Sequence, residues 1–144
     1  MKKTLIILVT LALSLTACAD RHRLIEYSEL PVQAKAFIQK YFSTVDVAYI
    51  EREYEGMHLE YNVYMKNAIE MEFDHHGNLR SIDCSISPVP EGIIPEVITY
   101  YVALHFPQSF IVEYTIESRR IKVELGSGTE ILFDLEGNFL GIDN

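Results

Sequence analysis

The sequence predicts an α+β fold of two tandem repeats, each one helix followed by about four antiparallel strands. Three observations lead there. Landmarks recur at fixed spacings, each recurring segment passes from a helical to a strand period, and Asp-x-x-Gly turns separate the strand-like runs. Leu30-Pro31 returns as Ile94-Pro95, and Phe37-Ile38 and Phe42 return as Tyr101-Val102 and Phe106, each 64 positions on. Phe73-Asp74, Gly77-Asn78 and Ile82-Asp83 return as Phe133-Asp134, Gly137-Asn138 and Ile142-Asp143, each 60 positions on. The difference falls between Ile50 and Tyr61, in a hairpin around Glu55-Gly56 that is longer than its counterpart around Ser118-Arg119; length changes belong in turns. The units are then residues 29–88 and 92–144, behind a leader of residues 1–17 and a lipidated tether of residues 18–28.

The leader comes first in the chain. Met1-Lys2-Lys3-Thr4 precedes the apolar run Leu5 to Leu13, the basic and hydrophobic regions of an export signal. The run is shorter than the ~20 apolar residues of a membrane-spanning helix. Leu15-Thr16-Ala17-Cys18 resembles the bacterial lipobox, in which the cysteine becomes the acylated first residue, so Cys18 is the candidate lipidation site and the membrane a partner. Ala17-Cys18-Ala19 also reads as an A-x-A site, with cleavage after Ala19 and loss of Cys18. Either way the expected address is the cell envelope, periplasmic or at the cell surface.

Each unit then opens with a helix. Ala34, Phe37, Ile38 and Tyr41 lie on one helical face, as do Ile98, Tyr101, Val102 and His105. Pro31 and Pro95 suit a first turn, which needs no amide donor, and Pro107 stops the second helix. Strands follow. Leu59, Tyr61, Val63 and Met65 alternate with polar neighbours, as do Ile69, Met71 and Phe73, then Ile121, Val123 and Leu125, then Ile131 and Phe133. Asp74 to Gly77 and Asp134 to Gly137 have the Asp and Gly of a tight turn closed by a left-handed glycine. Neither unit alone makes a comfortable core, so the two sheets are expected to join or abut.

Helices covering Tyr61, Val63, Met71 and Phe73 leave Glu60, Tyr64, Glu70, Glu72, Arg120, Lys122, Glu124 and Glu130 on the other face. Those eight are the candidate partner-binding residues, because exposed Tyr and Arg are typical of binding hot spots and charges give steering and specificity. Any half-solvated antiparallel sheet shows the same pattern, so it does not by itself identify a site.

Composition narrows the partner. The chain carries 12 Lys and Arg against 21 Asp and Glu, a formal charge of −9, and losing Lys2 and Lys3 with the leader takes it to −11. That charge repels phosphate backbones, which argues against nucleic acid and for cationic or neutral partners. With Cys18 acylated or cleaved away, Cys84 has no disulfide partner, and its place beside Ile82 and Ile86 reads as a buried hydrophobe.

Motifs that carry chemistry are few. His75-His76 with Asp74 fixes no third metal ligand, Asp74 and Asp134 lack the regular oxygen ligands of a calcium loop, and Gly126-Ser127-Gly128 is a hairpin tip and no nucleophile elbow. The reading is therefore no catalytic residues, no metal site, no cofactor and no enzyme.

The order of leader, Leu-Pro helix ending in Tyr41-Phe42, strands and Phe73-Asp74-His75-His76-Gly77-Asn78, then Ile94-Pro95, His105-Phe106 and Phe133-Asp134-Leu135-Glu136-Gly137-Asn138, resembles the PepSY-like family of bacterial envelope proteins. The resemblance runs from Leu30 to Asp143. It implies the helix-plus-four-stranded unit of the beta-lactamase inhibitory protein, and a non-enzymatic binding or inhibitory role. That protein's fold is disulfide-bonded and this chain cannot be, so no inhibitory contact residue is carried across. The expected function is a non-catalytic exported lipoprotein that binds a protein or peptide of the envelope and restrains an envelope hydrolase; the alternative is a small-ligand or metal-binding periplasmic module.

Overall fold

The strands of the computed structural model, which describes residues 21–143, form one sheet. The leader, Cys18 and both cleavage alternatives lie outside the described residues. β1 (His22–Ile25) is followed by α1 (Val32–Tyr41), β2 (Val47–Glu55), β3 (His58–Met65), β4 (Glu70–Asp74) and β5 (Leu79–Asp83). α2 (Glu96–His105), β6 (Ile111–Ile116), β7 (Ile121–Leu125), β8 (Glu130–Phe133) and β9 (Phe139–Asp143) complete it. Single 3-10 turns flank α1 at Tyr27–Glu29 and Thr44–Asp46. Among the described residues no helix is long and apolar enough to cross a membrane.

This corrects the expected fold class. Instead of an α+β chain of two helix-plus-four-strand repeats, nine antiparallel strands run in sequence order through one sheet, with two ten-residue helices, so the described chain is predominantly β. The physical reason is edge pairing. β5 pairs with β6 through Ser81↔Thr115, Ile82↔Tyr114 and Asp83↔Glu113, which removes two open rows of backbone donors and acceptors from the middle of the molecule. β1, inside the stretch assigned to the tether, covers the outer edge of β2 from His22↔Glu53 to Ile25↔Ile50.

The helices pack on one face of this sheet. α1 buries Ala34 and Ile38, α2 buries Ile98 and Val102, and beneath them Phe73 and Phe133 are fully enclosed. Phe37 meets Phe73 edge-on at 5.6 Å and Tyr101 meets Phe133 edge-on at 5.4 Å. Such aromatic pairs add ~0.5–1.5 kcal/mol beyond the area they bury. Each helix ends as its last amide is used: Phe42 N–H donates to the Ile38 carbonyl and Phe106 N–H to that of Val102, both at 2.8 Å.

The two Asp turns clamp helix to sheet. Asp74 Oδ1 accepts from the amides of His76 and Asn78 at 2.9 Å, and Asp134 Oδ1 from those of Glu136 and Asn138 at 3.1 and 2.7 Å. Gly77 closes the first turn at φ +88° against the start of α1, where an added Cβ would lie 2.7 Å from Ala34 N. Gly56, at φ +64°, has nothing within 4 Å of that position. Urea denaturation should therefore separate them: Gly56→Ala loses ~1–2 kcal/mol from left-handed strain alone, and Gly77→Ala loses a further ~1–3 kcal/mol from overpacking. Equal losses would mean that the turn is not docked on α1.

Candidate functional site

Alternation sends every second strand residue to the face away from the helices, and the register sets which of them become neighbours. One row crosses the sheet as Glu51, Asn62, Glu72, Ser81, Thr115 and Lys122, each paired with the next. The adjoining row starts with Tyr49 and Tyr64 and continues as Glu70, Asp83, Glu113, Glu124, Glu130 and Asp143. Six carboxylates therefore stand side by side on six successive strands, ~4.8 Å apart from strand to strand. Like charges directly opposite each other destabilise a sheet, so the row works against the fold that carries it.

Of the eight residues expected on this face, the structure gathers most into one surface. Tyr64, Glu70, Glu124 and Glu130 lie in the acidic row, Glu72 and Lys122 in its neighbour, and Glu60 opposite Glu53 and Asp74 one row further out. Arg120 stands one residue before β7, opposite Glu117, and ion-pairs with it at the hairpin end, one row beyond Lys122. Asp83, Glu113 and Asp143 belong to the row, and the sequence reading did not select them. Each sits at an outward position of a strand, but only the register shows that they line up.

Balance within the surface is local. Lys122 Nζ reaches Glu130 at 3.2 Å and Glu113 at 3.7 Å, and Ser81 Oγ and Thr115 Oγ1 share a hydrogen bond at 2.9 Å across the β5–β6 seam. Asn62 Nδ2 donates to Glu53 at 3.2 Å. A shallow depression of about 360 Å³ opens at the centre, lined by Asn62, Tyr64, Glu70, Glu72, Asp83 and Glu113. Burial, then the charge of Glu60, pushes the Glu72 carboxyl above its usual range. Burial, then Glu113 and Glu130, does the same to Glu124, and burial with Glu51 and Glu70 raises the Tyr64 phenol. The stacked Tyr49 and Tyr64 rings, 4.4 Å apart, close one end of the row.

The other candidates resolve simply. His75 and His76 are exposed in their turn, and the turn amides occupy Asp74 Oδ1. Among the described residues no group of three or more His, Cys, Asp or Glu is placed to hold a metal ion. Cys84 lies on the helix side, 2% exposed, with burial and then Asp83 pushing its thiol up to about 11. It has neither the access nor the acidity of a nucleophile.

Sheet, helices and open surface together define an antiparallel sheet backed by helices on one face and open on the other. The chain belongs to the PepSY-like family: the family model described as "Putative beta-lactamase-inhibitor-like, PepSY-like" matches residues 59–141. Among solved structures it is similar to a periplasmic protein of the DUF2874 family from Bacteroides vulgatus, at 32% identity and TM-score 0.82 over 88% of this chain and 99% of that one. A Bacteroides thetaiotaomicron protein described as a "putative calcium-regulated periplasmic protein" is 33% identical, with TM-score 0.82 over 88% of this chain and 99% of that one. A second Bacteroides vulgatus periplasmic protein, described as of unknown function, is 30% identical, with TM-score 0.81 over 85% and 99%. Among proteins with curated descriptions, none matches significantly. The three solved relatives support a periplasmic location for this chain.

The raised carboxyl of Glu72 gives the surface a pH signature. Its folded pKa lies above the ordinary 4.5, so its contribution to stability is whole below that value and is lost as pH rises through the folded pKa. Glu72→Gln should be more stable than the parent at pH 7, with the gap closing towards pH 4, in denaturation curves measured across that range. A gap that widens on acidification contradicts the crowding. A thiol reagent should modify Cys84 only as fast as the chain unfolds; labelling of the native protein at the rate of a free thiol contradicts its burial.

Proposed function

We propose that the chain is a non-catalytic, exported lipoprotein of the periplasm, anchored through Cys18, that binds a basic segment of an envelope protein or peptide on the open sheet face. The six-carboxylate row carries this reading. Its adjacent carboxylates repel, Lys122 offsets this only at Glu113 and Glu130, and a cationic partner converts the remaining repulsion into attraction. A helix presenting Lys or Arg every three or four residues spaces its charges ~5–6 Å apart, close to the ~4.8 Å between strands. The Tyr49–Tyr64 stack at one end offers a ring face to a guanidinium.

Restraint of an envelope hydrolase is the form of binding that the family's inhibitor-like description favours. The small-ligand or metal reading has less support. One relative is described as calcium-regulated, yet here the carboxylates stand in a line along a sheet and do not converge as a cation shell requires.

Pull-downs from envelope extracts test the proposal. Wild type should retain basic partners that elute as salt rises, because exposed charge pairs are screened within ~8 Å at physiological ionic strength. Glu70→Lys combined with Glu72→Lys should lose them; identical partner lists for the two proteins overturn the proposal.

A further inference from the structure

We infer that the β9 edge and the adjoining flank of α2 bind a second copy of this chain, joining two sheets across a two-fold axis near Gly141. Among the described residues the sheet has two free edges, and they differ in kind. β1 is four residues long and carries His22, paired with Glu53 at 3.1 Å, and Arg23, near Glu29 at 3.9 Å. Short, charged edges are how sheets discourage further pairing. β9, five residues long with one charge, Asp143, is the more apolar edge: Phe139, Leu140 and Ile142 are 43, 57 and 47% exposed, where β1 exposes only Leu24.

The helix above it repeats the contrast. On α1 the flank positions are Gln33 and Lys40, whereas on α2 the matching positions are Val97 and Leu104, 48 and 61% exposed. This flank reaches the β9 end, since Tyr101 stacks on Phe139 at 5.0 Å and 13° and Val97 abuts the turn at Gly137. Val97, Leu104, Leu135, Phe139, Leu140 and Ile142 thus mark one apolar end of the molecule. These six half-exposed side chains supply the apolar centre that a specific interface needs, with the free strand backbone and the polar residues around it as the rim.

A second copy fits this end for two reasons. First, the fold already extends its sheet at the matching place. β5, which follows the first Asp turn, is covered antiparallel by β6, while β9, which follows the second, is left open. Second, β9 complements itself. Antiparallel pairing about Gly141 sets Leu140 against Ile142 of the partner subunit and glycine against glycine, where nothing lies within 4 Å of an added Cβ. Asp143 is the only charge on β9, and this register holds the two Asp143 carboxylates ~14 Å apart. That exceeds the screening length of ~8 Å, so the acidic surfaces do not block association. A two-fold contact also closes, whereas β9 on β1 would propagate as a filament.

Sedimentation of the processed chain up to about 100 μM, a hundredfold above a micromolar dissociation constant, tests this. Wild type should be a dimer. Leu140→Lys should be monomeric with an unchanged circular dichroism spectrum, and Leu104→Lys, outside the sheet, should weaken the dimer at least tenfold. Leu24→Lys on β1 and the Glu70→Lys, Glu72→Lys pair should remain dimeric. A monomeric wild type, a dimer indifferent to both Leu140→Lys and Leu104→Lys, or dissociation by Leu24→Lys overturns the inference.

Discussion

Three residue pairs at the middle of the sheet hold the two halves of this chain together: Ser81↔Thr115, Ile82↔Tyr114 and Asp83↔Glu113. Backbone bonds from Cys84 N–H to Val112 and from Val89 N–H to Ile111, both 2.8 Å, extend the seam. On the helix side Ile82 and Tyr114 are buried, which stabilises by ~1.5–3 kcal/mol for each side chain. On the open side the same backbone sets Asp83 against Glu113, two carboxylates that repel. The apolar side outweighs the polar one, and the repulsion is tolerated because the core beneath is already closed. Without the seam each half would be a unit of ~60 residues, a size at which only about 60% of the unfolded surface is buried.

The seam also makes the surface. Glu70 and Asp83 belong to one half, and Glu113, Glu124, Glu130 and Asp143 to the other; they form one row only because β5 and β6 are in register. A slip of one residue would turn Ile82 into solvent and Asp83 into the core. The alternation that buries Val63, Met71, Ile82, Tyr114, Val123 and Ile131 is thus the same alternation that lines up the acids. In this fold, the stability of one face and the charge of the other are set by one choice of register.

Much of this was legible in the chain. The spacing of Ala34, Ile38, Ile98 and Val102 located both helices, and the alternation around Val63, Phe73, Val123 and Phe133 located the inward face of four strands. Asp74 and Asp134 announced their turns because an aspartate that accepts two amide protons is chemistry local to five residues. The joining of the sheets was harder to see. β5 and β6 are separated by a linker and α2, and no local pattern states that they pair. His22-Arg23-Leu24-Ile25 lies between the leader and the first repeated landmark and carries no strong alternation; short and charged, it suits an edge strand.

The PepSY-like family membership accounts for the architecture, and the acidic row stands on the open face of its sheet. The most direct measurement is a backbone-amide NMR titration of the protein with a Lys- and Arg-rich helical peptide. Asn62, Glu70, Glu72, Ser81, Glu113 and Thr115 should shift together, saturably, and revert as salt is added. Shifts confined to α1, α2 or the turns, or a response that ignores ionic strength, would contradict the account.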